Sequence, residues 1–165
     1  VANGGDHNAN PWDPRPPGHL MVLDGVNGNV LAKAVTPDSN ETYCSPIVAD
    51  LKNNGVLYVI YGTGGEHHGG SIWVADLTNG LMNNDLTGSL ALATHSSKGF
   101  IAPASVGDFS GAGYLDIIVQ SFAGTVYRFD GSNFTQKWSV TVPNSEYLVD
   151  SFDPALFLWS HWPRS

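Results

Sequence analysis

Basic side chains are few: seven Lys and Arg stand against fifteen Asp and Glu, for a net charge of −8 across 165 residues. That balance repels phosphate backbones, and no Lys/Arg cluster or stripe offsets it, so nucleic acid is excluded as an expected partner. There is one cysteine, Cys44, in the apolar-flanked "TYCSPIVAD". Neither an internal disulfide nor a cysteine-based zinc site can form, and a small buried thiol is expected. No apolar run approaches the ~20 residues of a membrane span, so no membrane span is expected. The amino terminus, "VANGGDHNANPWDPRPPG", has neither the basic start nor the apolar run of a signal peptide and no initiating Met. A mature or excised chain is therefore expected.

What is abundant points to strands. Apolar residues make up 42% and charged residues 13%, as in a folded globular domain. Nineteen Gly and ten Pro, many beside Asn and Asp, give chain reversals at a density that joins strands rather than helices. The expected fold class is all-β.

The sequence also repeats. "GHLMVLDGVNG" from Gly18, "GSIWVADLTNG" from Gly70 and "GTVYRFDGSN" from Gly124 share a Gly, a short apolar-rich strand, an Asp and an Asn-containing turn. Asp24, Asp76 and Asp130 mark equivalent positions about 50 residues apart. Each carboxylate is placed to accept backbone N–H groups of its own turn, which predicts a structural role for all three. Between these segments lies a second pair, "SPIVADLKNNGVLYVIYGTGG" and "APASVGDFSGAGYLDIIVQSFAG", in which Pro46 matches Pro103 and Asp50 matches Asp108. Each unit reads as four short antiparallel strands, the pattern of a propeller blade.

The expected organisation is a loop-rich segment over 1–17 and blades over 18–142. Residues 18–42 form part of one blade, while 43–93 and 102–142 form complete ones. An atypical aromatic-rich tail, 143–165, is placed to cover an exposed blade edge. A closed propeller needs about 4 to 8 blades. The chain is therefore expected to be a sector of a β-propeller, the remaining blades lying in cis or arriving by oligomerisation.

At "PASVGDFSGAGYLDIIV" the chain resembles the propellers built from FG-GAP repeats, and at "GTVYRFDGSNFTQKW" it is similar to the quinoprotein-type, pyrroloquinoline-quinone-like propellers. The resemblance covers most of 18–142. It implies a non-catalytic recognition, adhesion or scaffolding module that is extracellular, on the cell surface or periplasmic, with a protein or glycan partner. It also implies a calcium loop between the first two strands of a blade. Asp108 takes the first ligand position, Ser110 the third, Ala112 the fifth, Gly113 the turn, Tyr114 the carbonyl and Asp116 the ninth. Calcium held by Asp108, Ser110, Tyr114 and Asp116 is the cofactor expected, weakened because Ala112 supplies no oxygen. The matching loop, with Asp50, Lys52, Asn54, Gly55, Val56 and Tyr58, puts a cation where a ligand belongs and reads as a turn that binds nothing.

An enzyme is the alternative: a fragment of a quinoprotein-like dehydrogenase, or a metal-dependent hydrolase. Glu66, His67 and His68 in "GTGGEHHGGS", with Asp6 and His7 in the matching earlier loop, have the chemistry of zinc or copper ligands, though a solvated loop accounts for them too. Tyr43, Tyr58, Trp73, Tyr127, Phe129 and Trp138 are read as strand residues packing between blades. Trp12, in the Pro-rich "NPWDPRPPGH", is read as part of a surface loop.

Overall fold

Runs such as "LYVIYG" and "SIWVAD" are rich in β-branched and aromatic residues and are bounded by Gly, Asn and Asp, which favours short strands closed by tight turns. The computed structural model describes residues 1–4, 10 and 13–142 and contains eleven strands. Asp6, His7, Trp12 and the tail over 143–165 lie outside the described residues. The fold is all-β, as expected. Among the described residues the one helical element is a 3-10 turn at Leu81–Asn83, and no helix is long and apolar enough to cross a membrane.

The strands make three antiparallel sheets, each running in chain order. The first holds β1 (Ala2–Asn3), β2 (His19–Leu23) and β3 (Val30–Val35). The second holds β4 (Ile47–Ala49), β5 (Tyr58–Gly62), β6 (Gly70–Asp76) and β7 (Leu90–His95). The third holds β8 (Ser105–Gly107), β9 (Asp116–Gln120), β10 (Thr125–Phe129) and β11 (Gln136–Thr141). The three sheets do not close into a ring.

Two details depart from the sequence reading. The segment 1–17, expected as loop, supplies β1, with Ala2 paired to Leu20 and Asn3 to His19. A strand of two residues is too short to carry a period. β7 also runs on to His95, past the boundary at residue 93, because Gly70 pairs with His95 at the base of the β6–β7 hairpin.

Side chains alternate across a strand, so each sheet has a front and a rear face. The rear of the first sheet, with Leu20, Val22 and Ala34, packs on the front of the second, with Val59, Tyr61, Trp73 and Ala75. The rear of the second sheet, with Leu51, Ile60, Ile72 and Val74, packs on the front of the third, with Ile117, Val119 and Phe129, and Phe100 fills the seam. By the repeat, Leu20 and Val22 correspond to Ile72 and Val74, while Trp73 and Ala75 correspond to Tyr127 and Phe129. The stack is therefore head to tail: rear meets front at both interfaces. Tyr61, Phe100 and Phe129 are fully buried in these layers, the two phenylalanines each contributing roughly 1.5–3 kcal/mol of apolar transfer energy.

The hairpins on Asp24 and Asp130 are matching short turns, with the Gly28 and Phe134 N–H groups returning to the Asp carbonyl, whereas Asp76 opens a longer connection that includes the 3-10 turn. Each of the three strand pairs carries a register shift, at Val22/Leu23, Ile72/Trp73 and Arg128/Phe129. Beside the last of them the third sheet comes so near the Leu115 carbonyl that a Cβ on Gly131 would lie 1.7 Å from that oxygen. Only glycine fits there.

Candidate functional site

Two ends of the stack gather polar groups. At one end are the loops between the first two strands of the second and third sheets. The backbone N–H groups of Ala112 and Gly113 donate to Asp108 Oδ1 (3.0 Å) and Oδ2 (2.9 Å), and the Ser110 hydroxyl lies 3.4 Å from Oδ1. In the other loop Asn54 and Gly55 donate to Asp50 Oδ1 (3.1 Å) and Oδ2 (2.7 Å) in the same pattern. Gly55 and Gly113 both hold a left-handed backbone, φ 84° and 83°, which a side chain disfavours. Accepting these bonds favours the charged form, so both carboxyls lie below the usual range, through Gly55 first for Asp50 and Gly113 first for Asp108.

The third position separates the two loops. Lys52 turns onto aromatic rings, its ammonium 5.3 Å from the Tyr58 centroid and 4.7 Å from that of Phe134. Those two rings meet edge to face at 5.4 Å, so Lys52 ties the second sheet to the third. Ser110 is exposed and stays with Asp108.

Asp116 stands apart from its expected companions. It pairs across the strands with Gly107, one residue before Asp108, and is fully buried. Its Oδ2 accepts a 2.8 Å bond from the Arg128 guanidinium, while its Oδ1 and Arg128 Nε are buried with no partner. The Tyr114 hydroxyl donates to Asp130 Oδ2 at 3.1 Å. Of the four expected calcium ligands, the structure thus brings Asp108 and Ser110 together and commits half of the Asp116 carboxylate to a cation. Among the described residues no group of three or more His, Cys, Asp or Glu side chains is gathered to hold a metal.

Each of the three hairpin aspartates accepts a backbone N–H of its own turn. Asp24 Oδ1 accepts from the Val26 N–H and Asp76 Oδ1 from the Asn79 N–H, both at 2.8 Å. Asp130 is almost completely buried. Its Oδ1 accepts from the Ser132 N–H at 2.8 Å, and Lys137 Nζ lies 2.8 Å from its Oδ2. Lys137 first, then Ser132, holds the Asp130 carboxyl well below its ordinary range.

At the opposite end of the strands, the β5–β6 loop carries Glu66, His67 and His68. It folds on itself through Gly65 N–H to His68 O (3.0 Å) and docks through Gly64 N–H to Glu41 O (2.9 Å). Glu41 is buried, receives the Tyr43 hydroxyl at 2.8 Å and lies 3.5 Å from Arg15 Nε. Tyr43, read from the sequence as a strand residue packed between blades, lies outside the strands and is 46% exposed, its ring held by that bond. Sequence reasoning missed Glu41 and Arg15 because neither falls in the repeat; the one available signal was an acid beside an aromatic, "ETYC". Cys44 is buried as expected, and burial pushes its thiol upward.

No family model, no curated protein and no solved structure matches this chain.

Proposed function

We propose that the chain is a sector of a β-propeller that acts outside the cytoplasm as a non-catalytic recognition or scaffolding module. The supporting observation is the head-to-tail stack: chain-ordered antiparallel sheets pack rear to front, and each has an Asp that caps the turn after its next-to-last strand. Blades of a propeller stack in this way. The FG-GAP-like loops and the quinoprotein-like hairpin agree with it, and the repeated carboxylates serve turns rather than a reaction centre. Tyr43, an exposed aromatic held by buried Glu41 beside the His67–His68 loop, is the platform for a protein or glycan partner. An aromatic of this kind offers apolar area and a polar edge at little entropic cost.

The same reading includes one weak structural calcium ion at the Asp108 loop, where Asp108 and Ser110 are the two expected ligands that lie together. The Arg128 guanidinium beside Asp116 opposes a dication, which sets affinity in the range of extracellular modules, roughly millimolar.

Glycan-array and surface-binding measurements on the chain and on Tyr43→Ala test the recognition role. A bound ligand lost in Tyr43→Ala is the expected result. Quinone-dependent oxidation of an alcohol or sugar, or one equivalent of zinc or copper lost on His67→Ala and His68→Ala, would overturn it in favour of an enzyme.

A further inference from the structure

The two end faces of the stack, the front of the first sheet and the rear of the third, hold apolar side chains in solvent. Leu51 follows the loop aspartate of the second sheet, is fully buried against the third, and accepts the Leu115 N–H through its carbonyl at 2.9 Å. Phe109 follows the loop aspartate of the third sheet and is 53% exposed. On the same rear face, Trp138 is 39% and Val140 58% exposed, and every residue of β11 faces solvent. At the other end, Leu23 occupies the position of Ala75 and Phe129, both buried in front faces, yet is 39% exposed. Leu31 and Val35 of β3 are exposed with it.

Rear meets front twice inside the chain, and among the described residues one rear and one front remain uncovered. We infer that the rear of the third sheet, centred on Phe109, Trp138 and Val140, docks the front of the first sheet, centred on Leu23, of a second copy. The contact is heterologous, since unlike surfaces meet, and two copies that each offer one rear and one front close into a ring when the rotation allows. Two copies of three sheets give six, within the span of closed propellers. The inference rests on the sector reading above and adds which faces meet and what fills them.

Sedimentation equilibrium of the purified chain over the micromolar range reads it out, with Phe109→Lys blocking the rear and Leu23→Lys the front. Both positions are exposed, and circular dichroism checks that each variant keeps its strands. The expected result is a species of twice the chain mass for the unmodified protein, monomers for each variant alone, and a regained 1:1 dimer when the two variants are mixed, because one rear and one front remain intact. A monomer at every concentration overturns the inference while leaving the sector reading standing, the faces then belonging to further blades of one polypeptide. Association abolished by one variant and untouched by the other means like faces meet, and overturns the head-to-tail reading with it. A mixture that stays monomeric also overturns the inference.

Discussion

The rear faces of the second and third sheets are built from the same repeat and differ in charge at two matching places. The second presents Leu51, Ile60 and Val74 and lies buried under its neighbour. The third presents Phe109, Asp116, Ile118 and Arg128 at the matching places, with Phe109 in solvent and a buried ion pair where the second sheet has Tyr58 and Val74. A covered face can be wholly apolar. One at the end of the stack carries a charged pair, which an apolar surface alone would not tolerate unpaired.

Breaking that pair has the largest expected effect. Arg128→Val, which installs the residue of the second sheet, leaves the fully buried Asp116 carboxylate without its cation and should cost about 3–5 kcal/mol in urea unfolding. The double change Asp116→Leu with Arg128→Val should recover most of that loss, since apolar replacement of a buried pair is often neutral or better. Equal losses in the single and double variants would mean that the pair does not act as a unit.

Next comes the contrast between the two plugs. Leu51→Ala removes a side chain with no exposure and should cost about 2–5 kcal/mol. Phe109→Ala, measured on dilute chain, should stay within about 0.5 kcal/mol, as surface changes do. Comparable costs would show that the rear of the third sheet is already covered.

How far the sequence discloses this arrangement depends on local repetition. The hairpin aspartates and Gly55 and Gly113 recur because turn geometry demands them wherever a unit reverses, so strand order and the turn-capping role of Asp50 and Asp108 were legible. The faces were not. Strands of the middle sheet are buried on both sides, β5 and β6 read as nearly continuous apolar runs, and a period of two cannot be extracted from them. Asp116 was legible as an acid at a ligand position but not as the partner of Arg128, which comes from a different strand. Glu41 and Tyr43 meet in a connecting segment where no period operates.

A smaller effect follows acid. The Asp130 carboxyl lies below its ordinary value because Lys137 and Ser132 favour the charged form. A carboxyl depressed in the folded state contributes stability that is complete above its unfolded value, about pH 4, and drains away as pH falls toward the folded value. Melting temperature should therefore drop between about pH 4 and pH 2, and less steeply in Asp130→Asn. An unchanged slope in that variant would assign the acid sensitivity to other carboxylates.

The smallest effect separates the two aspartate loops by metal. Binding to the folded state alone stabilises it by RT ln(1 + [L]/Kd), which for millimolar affinity at 10 mM calcium is about 1.4 kcal/mol, a rise of a few degrees. The rise should come from the Asp108 loop alone, where Ser110 puts an oxygen at the third position, and not from the Asp50 loop, where Lys52 lies across Tyr58 and Phe134. Ser110→Lys should abolish it by importing the cation of the other loop, and Ala112→Asp should enlarge it by supplying the missing oxygen. The readout is the difference in melting temperature with calcium and with chelator for each variant, which cancels whatever the substitution does to the turn. No difference in the parent chain, or one indifferent to both substitutions, would leave Asp108 with the role that Asp50 already has: holding Gly113 as Asp50 holds Gly55, in a turn that needs no ion.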